Sequence, residues 1–436
     1  MKDKTIPLQL VVLAPGHFHA ALVQQEMYPG VDSIVQVYAP EGPEVQEYLR
    51  LVTGFNNRQH SPTRWVEQVY TGPGYLEKMV AGAPGRVVVI AGNNQLKSTY
   101  IRRSIAAGMH VLGDKPMAIN AADFDSLKLA FEDARKNKVL LYDIMTERYN
   151  IMNILQQELL LRPEVFGVLE KGSLAAPAVV KKSVHHFRKT VAGKGLIRPA
   201  WYMDVAQQGE GIVDVTTHLV DLIQWTCFPG QVIDYHKDIK MVTARRWPTG
   251  MTLQQYEAIT GEQHFPDYLR KDLDKDSVLQ VYANGSFDYS IRGIHAQVAV
   301  SWAYEALEGG GDTHFSRIRG TKAALEIRQD AAQQYRPALY IVPVDDTPAY
   351  EKQLQEQVTL LADKYPGIQL KKVQEGWEVM IPDVYKPGHE ALFSRVMKKY
   401  LAYIQAGHMP EWEVAGMLAK YYTTTQALAL AKKSAP

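Results

Sequence analysis

Segments typical of buried β-strands alternate with segments typical of helices over residues 8–145 of this 436-residue chain. Strands are predicted at residues 8–13, 33–38, 86–90, 109–112 and 139–142, with helices that begin near Ala20, Pro43, Gly74, Ser98 and Ala122. Strands and helices that alternate through short loops are typical of a parallel sheet covered on both faces. This part of the chain is therefore predicted to be an α/β domain with a doubly wound parallel sheet.

A charged motif follows one of these predicted strands. The strand at residues 109–112 leads into Gly113-Asp114-Lys115-Pro116. Ligands of open α/β sheets bind at the carboxyl ends of the strands, and the proline fixes the backbone that follows Lys115. Lys115 is therefore a candidate functional residue. The alternative is a surface lysine in a turn between strand and helix.

A second motif lies between residues 209 and 221. Apolar residues at positions 212, 215, 219, 222 and 223 predict an amphipathic helix. Asp214 and His218 are four residues apart, so they would share one face of that helix. A carboxylate beside an imidazole can fix its tautomer and stabilise its protonated form, as proton transfer by a histidine requires. The alternative is an ordinary contact on the helix surface.

Together, the two motifs resemble those of the glucose-fructose oxidoreductase / inositol dehydrogenase / MocA-like (Gfo/Idh/MocA) family. There, a Glu-Lys-Pro motif closes the nucleotide-binding domain and an Asp-x-x-x-His helix opens the second domain. The resemblance implies an N-terminal NAD(P)-binding Rossmann domain at residues 1–147. It also implies a C-terminal α+β domain at residues 148–436, with a largely antiparallel open sheet that backs the substrate site. That sheet often carries the subunit contact, so a homodimer or homotetramer is expected.

The sequence pattern of the second half of the chain is typical of such a sheet. Residues 279–291 form two alternating runs around Asn284-Gly285, which predicts a β-hairpin with its turn at this pair. Further strands are predicted at residues 297–304, 315–319 and 324–328, and Gly309-Gly310-Gly311 is predicted to be a flexible turn rather than a phosphate site. Residues 330–385 are predicted to be an added αβ segment of unassigned role. Helices at residues 390–406 and 412–432 match the family's closing pattern, which packs back on the first domain.

Composition limits the function classes. Hydrophobic residues make up 46% and charged residues 22% of the chain, as in ordinary globular proteins, and the length predicts two domains. A net charge of +1 gives no indication of a nucleic acid or an anionic membrane as partner. The single cysteine, Cys227, excludes an intrachain disulfide; it is predicted to lie in the core and suits a cytoplasmic location. No window approaches the roughly 20 apolar residues of a membrane helix.

The turn after the first strand is the expected diphosphate site. The dinucleotide fingerprint has three glycines, but in Ala14-Pro15-Gly16-His17-Phe18 only the middle one, Gly16, remains. Ala14 and Gly16 are expected to approach the phosphates, and His17 and Phe18 to offer backbone N–H groups. His17 and His19 could instead be metal ligands. With no acidic or cysteine partner nearby in sequence, we predict turn residues at the cofactor pocket and no metal.

Other positions of the resemblance complete the cofactor site. Glu41 lies slightly beyond the end of the second strand and could bind the adenosine ribose. Asn93 and Asn94 occupy the turn after the third strand, where the family usually has a proline-asparagine pair near the cofactor. Asp114 replaces the commoner glutamate and should keep a contact to the ribose or to a site residue. No arginine lies at the end of the second strand to bind the 2′-phosphate of NADP. The predicted cofactor is therefore NAD or NADP, with NAD slightly favoured.

The resemblance implies hydride transfer between a secondary hydroxyl of a sugar, glycoside or cyclitol and nicotinamide. The catalytic residues would be His218 as the base, Asp214 as its orienting carboxylate, and Lys115 as the donor that stabilises charge on the same oxygen. Polar and aromatic residues should surround such a substrate. Those predicted to bind it are Arg148, His186, Trp201 and Tyr202, with His185, Arg198 and Asp221 as further candidates.

Two other functions remain open on the sequence. A tightly held cofactor could permit elimination through transient oxidation, which would make the protein a redox-neutral NAD-dependent glycosidase or lyase. A non-catalytic sensor of sugars or nucleotides is the third possibility, and the missing glycines are in its favour. The retention of Lys115, Asp214 and His218 favours an enzyme, because a sensor would not need all three.

Overall fold

The computed structural model describes residues 7–191 and 194–434 and divides into two compact units. Unit 1 comprises the residues up to Thr146, then Ala206–Gly209 and Gly388–Tyr421. Unit 2 comprises Glu147–Val205, Glu210–Pro387 and the residues from Tyr422 onward. Each unit is built on one large sheet.

Unit 1 contains a six-stranded parallel sheet with the order β3-β2-β1-β4-β5-β6. Its strands are β1 (Leu8–Leu13), β2 (Val31–Ala39), β3 (Val66–Thr71), β4 (Val87–Ile90), β5 (His110–Asp114) and β6 (Leu141–Ile144). The helices between them are α1 (His19–Leu22), α2 (Pro43–Asn57), α3 (Tyr75–Val80), α4 (Lys97–Ala106) and α5 (Ala121–Asn137). The predicted doubly wound sheet is confirmed. Strand β3 was not predicted, because it is an edge strand whose residues are mostly exposed and therefore lack an apolar pattern.

Unit 2 contains a nine-stranded mixed sheet with the order β10-β11-β12-β7-β13-β14-β15-β17-β16. All neighbouring strands run antiparallel except β12 and β7, which are parallel. The strands are β7 (Val179–His186), β8 (Thr190–Val191), β9 (Lys194–Gly195), β10 (Ile239–Met251), β11 (Leu279–Ile291), β12 (Ile294–Ala303), β13 (Thr313–Arg319), β14 (Ala323–Gln329), β15 (Ala338–Pro343), β16 (Gln369–Val373) and β17 (Gly376–Met380). Strands β8 and β9 form a separate two-stranded ribbon. The prediction of a largely antiparallel second sheet is confirmed.

The remaining α-helices follow β6 along the chain. They are α6 (Ile151–Leu160), α7 (Val205–Gln208), α8 (Thr216–Cys227), α9 (Tyr235–Asp238), α10 (Leu253–Thr260), α11 (Pro348–Lys364), α12 (Ala391–Ala406) and α13 (Glu411–Lys433). The predicted αβ segment at residues 330–385 forms β15, α11, β16 and β17, which extend the sheet at one edge. Helix α12 belongs to unit 1, where the Tyr400 hydroxyl donates to the carbonyl oxygens of Val111 (2.8 Å) and Leu140 (2.7 Å). In the described part of the chain, no helix has the length and apolar character that crossing a membrane requires.

The predicted hairpin at Asn284-Gly285 is wrong. Residues 279–291 form one continuous strand, β11, and both residues lie in its middle. The Asn284 amide donates to the carbonyl oxygen of Trp247 (3.0 Å) and its oxygen accepts from the backbone N–H of Trp302 (2.7 Å), so the side chain bridges both neighbouring strands. Gly285 leaves room for Ile212, since a Cβ there would lie 3.0 Å from the Ile212 Cβ. Close packing, not a turn, explains this glycine.

The turn of the hairpin lies at the end of β11. Arg292 and Gly293 connect β11 to β12 with φ values of 51° and 78°. Positive φ at both central residues is the geometry of a type I′ turn, which matches the twist of the strands. An arginine does not indicate that conformation in a sequence, whereas the Asn-Gly pair eight residues earlier does. The turn was therefore predicted at the wrong pair.

Candidate functional site

The turn after β1 lies against the turn after β4 in unit 1. The backbone N–H groups of Gly16 and His17 donate to the carbonyl oxygen of Ala91 at 3.1 and 3.2 Å. A Cβ on Gly92 would lie 2.4 Å from the Ala14 carbonyl oxygen, so only glycine permits this approach. Ala14 itself has φ of 46°, a conformation that the fingerprint normally assigns to glycine. The His17 N–H already donates to Ala91 in this structure, and its contact with a phosphate stays a prediction.

Two other groups in unit 1 fit a dinucleotide. Among the described residues, no acceptor faces the backbone N–H groups of Phe18 and His19, at the start of α1. Glu41 is exposed just beyond the last residue of β2, where an acidic residue can accept from ribose hydroxyls. The residues of unit 1 thus fit a nucleotide cofactor, although with fewer N–H donors at the first turn than the sequence motif of this fold normally gives.

Asn93 and Asn94 hold a neighbouring segment of unit 1 in place. The Asn93 amide donates to the Gln207 side-chain oxygen (2.6 Å), and the buried Asn94 amide donates to the Gln208 carbonyl oxygen (2.7 Å). The Asn94 backbone N–H also donates to the Gln207 carbonyl oxygen (2.9 Å). These bonds explain both asparagines structurally, and their contact with a cofactor stays a prediction.

The last residue of β5, Asp114, lies next to two histidines of the first turn. Its Oδ2 accepts from His19 Nδ1 at 2.9 Å and lies 3.7 Å from His17 Nδ1. Burial by itself would raise the pKa of Asp114, but the interaction with His19 and the charge of Lys97 hold it well below its ordinary value. Burial lowers the pKa of His19. The pair is therefore a neutral imidazole that donates to an ionised carboxylate.

Two lysines are linked to Asp114, one through its backbone carbonyl and the other as the next residue in the sequence. Lys97 is only 1% exposed, and its Nζ donates to the Asp114 carbonyl oxygen at 2.9 Å. Lys115 follows β5 directly, is half-buried, and precedes Pro116 through a cis peptide bond. The structure therefore places Lys115 at the carboxyl edge of the parallel sheet, as the sequence predicted.

In unit 2, the predicted helix that carries Asp214 and His218 begins later than expected. Helix α8 begins at Thr216, and residues 211–215 form turns, so Asp214 precedes the helix while His218 lies in its first turn. A Cβ on Gly211 would lie 1.8 Å from the Ala283 carbonyl oxygen. This close contact with β11 holds the segment in turns and delays the helix. Asp214 is buried and His218 is half-buried.

Arg148 and Asp221 form a buried ion pair. The Arg148 Nε and Nη2 donate to the two carboxylate oxygens of Asp221 at 2.7 and 2.6 Å. The exposed fractions are 8% for Arg148 and 1% for Asp221. A planar guanidinium that meets a carboxylate in this way is well oriented. The pair explains both residues structurally, and a contact between Arg148 and a substrate stays a prediction.

A polar cluster whose side chains are between 10% and 31% exposed surrounds Asp312 in unit 2. Its two oxygens contact His186 Nδ1 at 2.9 Å and His185 Nδ1 at 3.1 Å, and Lys189 Nζ also donates to it. Burial would raise the pKa of Asp312, but the hydrogen bonds from His185 and Lys189 hold it well below its ordinary value. The carboxylate is therefore ionised and surrounded by hydrogen-bond donors. We call these four residues the Asp312 cluster.

Aromatic rings adjoin the Asp312 cluster. The Trp302 ring lies 5.1 Å from the His185 ring and 6.2 Å from the Tyr202 ring, between ring centroids. The Arg198 guanidinium lies over both Tyr202 (4.7 Å) and Trp302 (5.4 Å). Trp201 and Tyr202, which the sequence predicted to bind substrate, are 8% and 9% exposed within a hydrophobic cluster. Both residues belong to the same hydrophobic cluster as Trp302, and their contact with a substrate stays a prediction.

The core of unit 2 also contains a lysine and the single cysteine. Lys181 is fully buried, its Nζ donates to Ser316 Oγ at 2.7 Å, and burial lowers its pKa to about 8. Burial raises the pKa of Cys227 to about 12, so the thiol stays protonated. The predicted core position of Cys227 is confirmed, and a protonated buried thiol does not suit a nucleophile.

Several residues at these positions were not predicted from the sequence. Asp312 follows three glycines in what looked like a flexible turn, and its partner His185 is 127 residues away. Trp302 lies in the strand predicted at residues 297–304, and the sequence gave no reason to single it out there. Gly92 had a usable signal, since a glycine just after a buried strand can mark a close backbone approach.

The chain matches two family profiles that together cover most of its length. Residues 11–142 match "Oxidoreductase family, NAD-binding Rossmann fold". Residues 155–432 match "Putative oxidoreductase C terminal domain". A search of curated proteins found no match.

Solved structures show the same fold. A "putative oxidoreductase" from Parabacteroides merdae is 50% identical, with 99% of this chain and 98% of that one covered and a TM-score of 0.96. A levoglucosan dehydrogenase in complex with NADH and L-sorbose is 11% identical, with 98% of each chain covered and a TM-score of 0.62. Biliverdin reductase from Synechocystis, in complex with biliverdin and NADP+, is 10% identical, with coverages of 98% and 99% and a TM-score of 0.58. The last two show the fold alone, whereas the profiles and the Parabacteroides relative show that this chain belongs to the Gfo/Idh/MocA oxidoreductase family, with an NAD-binding Rossmann domain.

Proposed function

We propose that this protein is an NAD(P)-dependent dehydrogenase that acts on a secondary hydroxyl of a sugar, glycoside or cyclitol. The observation that carries the choice of substrate is the Asp312 cluster with its aromatic neighbours. A half-exposed carboxylate, two imidazoles and an ammonium group offer both acceptors and donors to a ring that carries several hydroxyls. Trp302 adds an apolar ring surface, and aromatic surfaces with a few placed polar groups are typical of small-molecule sites.

Three residues are proposed to carry the chemistry. His218 takes the proton of the reacting hydroxyl, since an imidazole can exchange a proton near neutral pH. Asp214 orients His218 and stabilises its protonated form. Lys115 donates to the reacting oxygen and stabilises negative charge as it develops there. Bound NAD or NADP would supply the hydride acceptor for the carbon that carries the reacting hydroxyl.

The test is a panel of sugars, glycosides and cyclitols, each with NAD or NADP, monitored by the absorbance of the reduced nicotinamide. We expect at least one substrate class to give turnover. His218→Asn should lower kcat by roughly 10²–10⁴-fold, the usual contribution of a general base, while nucleotide binding persists. The matched control is His408→Asn, because His408 is exposed in unit 1, and its turnover should equal that of the wild type.

Other outcomes would contradict the dehydrogenase. If no substrate changes the absorbance but denatured protein releases nucleotide, the redox-neutral glycosidase or lyase is favoured. If neither turnover nor bound nucleotide is found, the sensor is favoured. The homodimer or homotetramer and the cytoplasmic location stay predictions, of which light scattering tests the first.

A further inference from the structure

Unit 1 contains a group of two imidazoles and one carboxylate whose side chains take no part in the proton and hydride transfer proposed above. His17, His19 and Asp114 each offer one atom, and these three atoms lie within 4.8 Å of one another. In sequence, Asp114 lies 95 residues after His19, which is why the sequence gave the two histidines no acidic partner. The carboxyl end of β5 brings that partner to the turn after β1.

The spacing of the donor atoms suits coordination of one ion. Ligands about 2.0–2.1 Å from a tetrahedral ion lie about 3.4 Å from each other. The observed separations from Asp114 Oδ2 are 2.9 Å to His19 Nδ1 and 3.7 Å to His17 Nδ1. The first is a hydrogen bond and the second is longer than one. Shifts of a few tenths of an ångström would bring both to the distance that a shared ion requires.

A second observation concerns the other carboxylate oxygen. Asp114 is 4% exposed, and its Oδ1 is buried and has no hydrogen-bond partner among the described residues. A buried carboxylate oxygen without a partner is costly, and such an atom calls for an explanation. An ion beside the carboxylate would supply that partner. The Phe18 ring lies 4.5 Å from the His17 ring, and the Phe393 ring lies 4.6 Å from the His19 ring, between ring centroids.

We propose that His17, His19 and Asp114 bind a divalent transition-metal ion of the Zn²⁺ type. Such ions bind imidazole nitrogens together with a carboxylate oxygen, whereas Mg²⁺ and Ca²⁺ prefer oxygen ligands. Three protein ligands leave a coordination position open to water or to an oxygen of a ligand. The site lies in unit 1 and does not depend on the proposed substrate.

The test is zinc binding by the protein without a histidine tag and without nucleotide. After treatment with EDTA and dialysis, the wild type is titrated with Zn²⁺ against a chromophoric chelator. We expect one tightly held ion per chain. His19→Ala and Asp114→Asn should weaken that binding by roughly 100-fold or more, since even outer partners of metal ligands cost 10- to 100-fold. His408→Ala, which removes an exposed imidazole, should bind as the wild type does.

Two results would overturn the site. One is a wild type that holds no more zinc than His19→Ala, which would leave the His19–Asp114 contact as a plain hydrogen bond. The other is equal loss in His408→Ala, which would indicate surface binding. Should a variant fail to fold, the wild type loaded with Co²⁺ still decides. Its visible spectrum should show the intense bands of a four-coordinate site, and the weak spectrum of hydrated Co²⁺ would contradict the proposal.

Discussion

At the scale of single residues, the charged side chains of unit 2 are placed by partners far away in the sequence. Asp312 is the clearest case, because it collects His185, His186 and Lys189 from one end of β7 and the residues after it. Its low pKa means that folding favours the ionised carboxylate. A group of this kind contributes stability above its ordinary pKa, and the contribution is lost as the pH falls.

The stability that ionised Asp312 contributes leads to a prediction for Asp312→Asn. At pH 7 the variant should melt roughly 2–6 °C below the wild type, because hydrogen bonds to a charged group contribute about 1.5–3 kcal/mol and partial exposure reduces that. The ordinary pKa of Asp312 is 3.8. The difference in Tm should therefore persist down to about pH 5 and shrink below about pH 4, because the carboxyl group of the unfolded chain then takes up a proton while that of the folded protein stays ionised.

The measurement is a series of thermal melts between pH 7 and pH 2.5, followed by circular dichroism. Asp276→Asn is the control, since Asp276 is exposed in the same unit and its replacement should change Tm little at any pH. A wild-type advantage over Asp312→Asn that stays constant to pH 2.5 would contradict the assigned role of the charge.

At the scale of elements, the contact between β11 and the turns before α8 explains two differences from the sequence prediction. Gly211 meets the backbone of Ala283, and Gly285 meets the side chain of Ile212. The first contact delays the start of α8, and the second keeps β11 extended through the Asn-Gly pair. Both glycines serve close packing, which a periodicity read along the chain does not reveal.

The two glycines should respond differently to a methyl group. A Cβ at Gly211 would lie 1.8 Å from a backbone oxygen, whereas a Cβ at Gly285 would lie 3.0 Å from a side-chain carbon. Since a backbone yields less than a side chain, Gly211→Ala should lower the free energy of unfolding by about 3 kcal/mol or more, and Gly285→Ala by about 1–2 kcal/mol. Gly54→Ala, in open space on α2, should be neutral or stabilising.

Urea denaturation monitored by tryptophan fluorescence measures these changes, since both units contain tryptophans. The order is the decisive result: a Gly285→Ala variant less stable than Gly211→Ala would mean that the turns before α8 adjust more easily than Ile212 does. Such a result would weaken the explanation of the late start of α8.

Sequence reasoning succeeded where the pattern is local and failed where it is not. The bounds of β1 and the start of α2 were predicted correctly, because buried strands and a proline at a helix start leave signals within a few residues. Lys115 was placed at a sheet edge for the same reason. Asp312 and the contact of His19 with Asp114 were not predicted, since their partners come from other strands. The start of α8 was missed because β11 sets it.

At the scale of the whole molecule, one chain joins a parallel sheet and a mixed sheet that both match one oxidoreductase family. The cofactor is assigned to the first of these units. A residue of this unit that bears on the choice between NAD and NADP is Glu41, which is exposed just beyond the end of β2. A carboxylate there can accept from both hydroxyls of an adenosine ribose, but it would repel a 2′-phosphate.

We therefore predict that NAD stabilises this protein more than NADP at equal concentration. A nucleotide at 100 times its Kd adds about 2.7 kcal/mol to the free energy of unfolding. Binding roughly tenfold weaker, as expected for NADP, removes about 1.4 kcal/mol of this. Calorimetric melts with each nucleotide measure the difference in Tm. Glu41→Arg should reverse the order, whereas Glu47→Arg, an equal charge change at an exposed position of α2, should keep it. A larger shift with NADP in the wild type would show that another residue selects the cofactor.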